Sequence, residues 1–230
     1  EDVIELHLEE SLFDEAAALS ERLIAMTKDP YVAIMRRLRL GDVHHRAGRR
    51  DKAVEVYAAA LGDSGDNSWL EREIIAQIEQ LFRLEDDLTG LSRQYIDLLK
   101  TYPKRVGLHR RRCRLLVELG ENDEALKGYR KILELMPGER GFREEYVDML
   151  GRMGRHDEAV KELRALREQH PKDPEILVRL AKTLHLAKKT AEAIEAVREY
   201  LEISDRGEYA HARAARLVAG FGDRAKALEF

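Results

Sequence analysis

Apolar side chains recur along this chain at helical spacing. Ile176, Leu177, Leu180, Ala181 and Leu184 fall on one stripe, and Phe142, Tyr146, Val147 and Leu150 fall on another. Side chains three and four positions apart lie above one another on a helix, so each stripe is a face that must be buried. Residues 12–28, from Leu12 through Asp14-Glu15-Ala16 to Lys28, read as the second helix of a pair whose first helix is missing or degenerate. No stretch alternates apolar and polar residues long enough to specify a strand. The pattern predicts an all-α chain.

The stripes share a fixed register. Ala125, Ala159, Ala193 and Ala227 are evenly spaced, and Pro103, Pro137 and Pro171 keep the same interval. Five residues before the repeated alanine comes glycine, at Gly48 (before Ala53), Gly120, Gly154 and Gly222. Twelve before it comes a small or modest side chain: Gly41, Cys113, Val147, Ala181 and Ala215. Four after it comes a larger one: Tyr57, Tyr129, Leu163 and Val197. Small residues let two helices approach closely, glycine ends a helix in the left-handed conformation, and proline bars its continuation. A constant period of this size marks one supersecondary unit stacked many times.

This set of markers resembles the tetratricopeptide repeat family, over nearly the whole chain. The resemblance implies a right-handed superhelical solenoid of tandem antiparallel helix hairpins. Units are expected at 34–67, 106–139, 140–173 and 174–207, with a degenerate one at 68–105 and partial ones at 1–33 and 208–230. In the degenerate unit Leu91 replaces the alanine and Glu79 the small residue, while Tyr95 and Pro103 match. Lys188 takes a glycine place and Asp205 a proline place. The step from Ala53 to Leu91 exceeds the regular interval by four, so four residues are inserted. The turn formers from Gly62 to Ser68 predict that a surface loop absorbs them, with a hinge between sub-blocks as the alternative.

Composition fits thin helical layers: 37% of residues are charged and 6% aromatic. No run reaches the length of a membrane span, and neither a leader nor a span is expected among these residues. The cut-off helices at both ends predict a fragment of a larger protein, whose uncapped terminal repeats would permit end-to-end self-association. The compartment stays open, with the cytoplasm favoured. A single cysteine, Cys113, excludes an internal disulfide and sits where packing wants a small residue.

Catalytic and metal signatures are lacking. His44 and His45 are adjacent and diverge by about 100° on a helix, which is poor for joint ligation. No HExxH, Walker loop, GxSxG or dinucleotide turn occurs. The chain is expected to have no catalytic site, no metal and no cofactor.

What remains is surface. In the family resembled, the first helix of each unit lines a concave groove that receives the partner. That carry-over nominates Arg110, Arg111 and Arg114, then Glu144, Glu145 and Asp148, then Arg179, Lys182 and His185, then Tyr209, Arg213 and Arg216. Upstream, Leu38, Asp42 and His45, then Glu73, Ala76, Gln80 and Arg83, are mixed. The arginine section suits an acidic segment of a peptide or protein. A purely structural role, with charges paired between neighbouring units, is the alternative. The lysine–asparagine–arginine clamp some relatives use for chaperone tails is not matched at Asp42, Arg114 and Asp148. A regulatory or oligomerisation segment of a multidomain protein is a second reading. Single-stranded RNA binding through Lys104-Arg105 and His109–Arg114 is a third, opposed by the net charge of −4.

Overall fold

The hairpin turns of the protein bend at one register position. A computed structural model describes residues 2–65, 67–204 and 207–230. Among them there are helices and no strand. The left-handed residues Ser11, Gly48, Asp86, Gly120, Gly154, Lys188 and Gly222 each lie five positions before a buried register residue, Ala16, Ala53, Leu91, Ala125, Ala159, Ala193 and Ala227 respectively. In six of these seven turns the next N–H reaches back to a carbonyl five residues earlier, as in Arg49 to His44 at 2.9 Å, Glu121 to Leu116 at 2.8 Å and Lys189 to Leu184 at 2.9 Å. That bond satisfies a helix-end carbonyl that would otherwise lack a partner.

The chain divides into two compact units, residues 1–121 and 122–230. The first contains α1 (Asp2–Glu9), α2 (Phe13–Ala25), α3 (Pro30–Arg46), α4 (Arg50–Asp63), α5 (Ser68–Leu84), α6 (Leu88–Thr101) and α7 (Val106–Glu118). The second contains α8 (Asn122–Leu135), α9 (Arg140–Arg152), α10 (His156–Gln169), α11 (Pro174–Leu186), α12 (Thr190–Ile203), α13 (Glu208–Gly220) and α14 (Arg224–Ala227). Within each unit consecutive helices pack as tandem antiparallel pairs. The first unit's core joins Ile34, Tyr57, Leu61, Ile74, Ile78 and Tyr95. A smaller cluster of Ile4, Leu8, Ala16 and Val43 docks α1 and α2. In the second unit Ile176, Leu177, Leu180, Ala181 and Leu184 are all buried, as are Tyr146, Val147 and Leu150, so both stripes face inward.

The close approach anticipated at the small-residue positions is seen at Gly41. A Cβ there would sit 2.1 Å from the Tyr57 ring. The Tyr57 hydroxyl donates to Asp42 Oδ1 at 2.7 Å, and the Tyr95 hydroxyl to Glu79 Oε1 at 2.5 Å. Burial, reinforced by those carboxylates, pushes both phenols far above their usual range.

The inserted residues are not in a loop. α4 runs through Gly62 and Asp63, and Asn67 caps α5, which begins at Ser68. α7, α9, α11 and α13 have 13 residues each, whereas α3 and α5 have 17. The insertion is one extra helical turn at the start of α5, and α3 carries the same extension. A helical turn satisfies its own backbone polar groups, which a loop of equal length does not. Arg105, itself largely buried, donates to the carbonyls of Leu61 (3.1 Å) and Gly65 (2.5 Å) and to Glu71 (3.0 Å). Asp66 and Asp205 lie outside the described residues.

Candidate functional site

The first helices of the hairpins carry the nominated residues, and the structure separates them into a paired row and an exposed row. Arg111, on α7, donates to Glu79 of α5 at 2.8 Å. Arg179, on α11, reaches back to α9, meeting Asp148 at 2.5 Å and Glu144 at 3.7 Å. Arg213, on α13, forks onto both carboxylate oxygens of Glu175 on α11 and lies 5.6 Å from the Tyr200 ring centroid. Arg111, Arg179 and Arg213 share one register position, equally far ahead of Ala125, Ala193 and Ala227. Each spends its guanidinium on the preceding first helix.

Three residues further along, Arg114 of α7 in the first unit and Asp148, Lys182 and Arg216 of α9, α11 and α13 in the second hold the next register position. All four are exposed. Arg110, Glu144 and Glu145 are half-buried, and Glu144 also accepts from Arg140 at 2.7 Å. Tyr209 projects with 75% of its surface open. His185 is half-buried, stacked on Phe221 with ring centroids 4.8 Å apart.

These pairs belong to a wider pattern in which ion pairs join residues roughly one period apart. Arg83 forks onto Glu118 (2.8 and 2.9 Å), Arg140 meets Asp173 (2.5 Å), and Lys189 meets Asp157 (2.6 Å). The Arg213 guanidinium holds the Glu175 carboxyl below the usual carboxylate range. At Asp173 burial pushes the carboxyl up, but Arg140 and the Glu175 N–H outweigh it and leave the group lowered. Most of these groups are open to solvent, so each pair is worth about 0–1 kcal/mol. Their combined effect is registration of one hairpin on the next.

The profile for the tetratricopeptide repeat matches residues 4–68 and 148–209, together just over half of the chain. The chain belongs to the tetratricopeptide repeat family. Similar solved structures include MamA 41-end from Desulfovibrio magneticus RS-1, at 16% identity and TM-score 0.48, covering 68% of this chain and 89% of that one. YrrB, described as a TPR protein with an unusual peptide-binding site, is 16% identical with TM-score 0.49, covering 87% and 99%. A tetratricopeptide repeat protein from Parabacteroides merdae ATCC 43184 is 18% identical with TM-score 0.41, covering 97% and 91%. No curated protein matches the chain significantly.

As a tetratricopeptide protein it falls in a class of interaction scaffolds, and its described residues hold no cluster of metal-ligating side chains. Among the described residues no helix is long and apolar enough to cross a membrane. One feature of the first unit escaped the sequence reading. A cleft of about 520 Å³ opens between α1, α2, α3 and α5, floored by Leu38 and walled by Met35 and Trp69. Leu38 and Glu73 were visible as first-helix residues. Trp69 and Val32 were not, because they lie in the extra turns whose helical character only the fold reveals.

Proposed function

We propose that this chain is a non-catalytic interaction scaffold whose first-helix faces hold a peptide or protein segment bearing acidic residues. The observation that carries the reading is one register position that is exposed in Arg114 of the first unit and in Asp148, Lys182 and Arg216 of the second. The neighbouring row at Arg111, Arg179 and Arg213 is consumed in holding hairpins together. In the exposed row only Asp148 shares that duty, as the acceptor of Arg179. The other three members are cationic and open to solvent. Tyr209 and His185 flank the row on α13 and α11 with aromatic surface. Desolvated charge pairs and aromatic contacts of this kind set register and selectivity in interfaces.

Reversal of Arg114, Lys182 and Arg216 together to glutamate tests the reading. Because all three are exposed, helicity and melting temperature are expected to stay as in the wild type. Capture of partners from the native cell is expected to be lost, and capture that persists undiminished overturns the assignment.

A further inference from the structure

We propose that the α1–α2 pair is an acid-released cover on α3, with His44 as its trigger. The device is separate from the exposed cationic row and does not depend on what that row binds.

The joint that holds the pair is lightly built. Ile4 and Leu8 of α1, Ala16 and Ala17 of α2, and Leu40 and Val43 of α3 form a buried cluster apart from the first unit's main core. The larger side chains that α2 adds, Phe13, Leu19, Leu23 and Ile24, are only partly buried. Polar ties complete the joint. Glu5 of α1 meets Arg39 and Arg46 (3.3 Å) of α3, Asp14 of α2 meets Arg49 (2.5 Å), and Arg36 donates to the Leu23 carbonyl at 2.6 Å. Meanwhile α3 is anchored independently, through Ile34 and Leu38, in the main core with Tyr57 and Ile74. The pair can therefore leave without unfolding what it covers.

His44 sits in this joint, next to Val43. The charged groups that face it are Asp14 and Glu21 on α2, with Lys52 and Arg49 at the start of α4. It is 7% exposed, and its Nδ1 is enclosed with no hydrogen-bond partner among the described residues. An imidazolium donates from both ring nitrogens, so a protonated His44 leaves one donor stranded while the pair is docked. Withdrawal of α2 supplies that nitrogen with water. Burial, then Lys52 and Arg49, hold the docked ring below the usual histidine range, and Glu21 and Asp14 offset only part of this. Once hydrated, the ring returns towards about 6.5. The released form thus binds the proton more tightly, and docking is at full strength above about pH 6.5. Below it, docking loosens by about tenfold per pH unit until the docked value is passed. The Arg49 guanidinium holds Asp14 below the usual carboxylate range, so that tie outlasts the histidine transition. Release uncovers Leu40 and Val43, both buried while the pair is docked.

Amide hydrogen exchange on the full chain, corrected for the intrinsic pH dependence of exchange, reads the release. From pH 7.5 to pH 5, protection of the α2 amides should fall about tenfold in the wild type. The helices α4–α6, and those of the second unit, should keep theirs. In His44→Leu the fall in α2 should stay under about twofold. Side-chain NMR of the wild type gives a reading that needs no variant: the His44 ring should protonate over the pH range in which α2 opens. The proposal is overturned if α2 keeps its protection at pH 5, or if His44→Leu opens as readily as the wild type. It is equally overturned if His44 protonates under a protected α2, or if all helices lose protection together. Partner capture plays no part in these readouts, so their failure leaves the scaffold reading standing.

Discussion

Replacing Gly41 by alanine tests the packing logic where a helix meets the Tyr57 ring. Gly41 lies inside α3 without a positive φ, so helix propensity alone favours alanine by about 1 kcal/mol. The new Cβ, however, would sit 2.1, 2.5 and 2.7 Å from three Tyr57 ring atoms, where carbon atoms prefer about 3.5–4.0 Å. The ring must retreat by more than about 1 Å. Tyr57 is 1% exposed and its hydroxyl is tied to Asp42 at 2.7 Å, so no retreat is free. Overpacking of this kind costs about 1–3 kcal/mol, and weakening a hydrogen bond to a charged group adds about 1.5–3 kcal/mol. Against the propensity gain, a net loss of roughly 2–4 kcal/mol is expected. Urea unfolding followed by circular dichroism measures it, together with amide exchange, because a repeat chain need not unfold in one step. Gly151→Ala is the control: nothing lies within 4 Å of its added Cβ, so it should be neutral or stabilising by up to about 1 kcal/mol. Tyr57→Leu copies the side chain that Leu163 supplies at the same place in a later hairpin. Combined with Gly41→Ala, it should cost less than the two changes summed. If Gly41→Ala is as stable as the wild type, the claim that this glycine is held by Tyr57 is wrong.

Two further outcomes follow from local geometry and burial. Lys188 holds φ +61° where its counterparts Gly120 and Gly154 hold φ +76° and +70°; Lys188→Gly should therefore stabilise by about 0.5–1 kcal/mol and Gly154→Ala destabilise by about 1–2 kcal/mol, read from denaturant midpoints. His44 is buried with Nδ1 unpaired, and burial, then Lys52 and Arg49, hold it below the usual histidine range in the folded chain. Below about pH 6.5 the unfolded chain takes up a proton that the folded chain resists, so stability falls with pH until the lowered folded value is passed. The melting temperature of His44→Leu should thus gain on the wild type between about pH 7 and pH 5, and parallel pH slopes would refute the role given to His44.

The hairpins were legible in the sequence because their signals are local. Glycine at the left-handed position, proline between pairs and apolar spacing each act within a few residues of backbone. Gly48, Gly120, Gly154 and Gly222 accordingly mark turns that the structure contains. Ser11 and Asp86 perform the same bend without the glycine, and their side chains hide the signal. Asp14-Glu15-Ala16 still marked α2 as a second helix, with Ala16 buried on it. The four inserted residues misled for a related reason: Gly62, Asp63 and Ser68 favour turns in isolation, but stacking of α4 and α5 on their neighbours holds them in helix.

The candidate surface divides in the same way. Periodicity alone put Arg111, Arg179 and Arg213 at one register position and Arg114, Lys182 and Arg216 at another. It carried no sign of which position would be spent on ion pairs. That choice depends on distances between side chains roughly a full repeat apart in sequence, which arise only when one hairpin lies on the next. The cleft at Met35 and Trp69 is likewise a product of stacking, since neither residue differs in isolation from other exposed apolar side chains. Backbone preference, being short-ranged, wrote the helix pairs into the chain; the pairing of charges and the opening of cavities are long-ranged, and tertiary packing alone decided them.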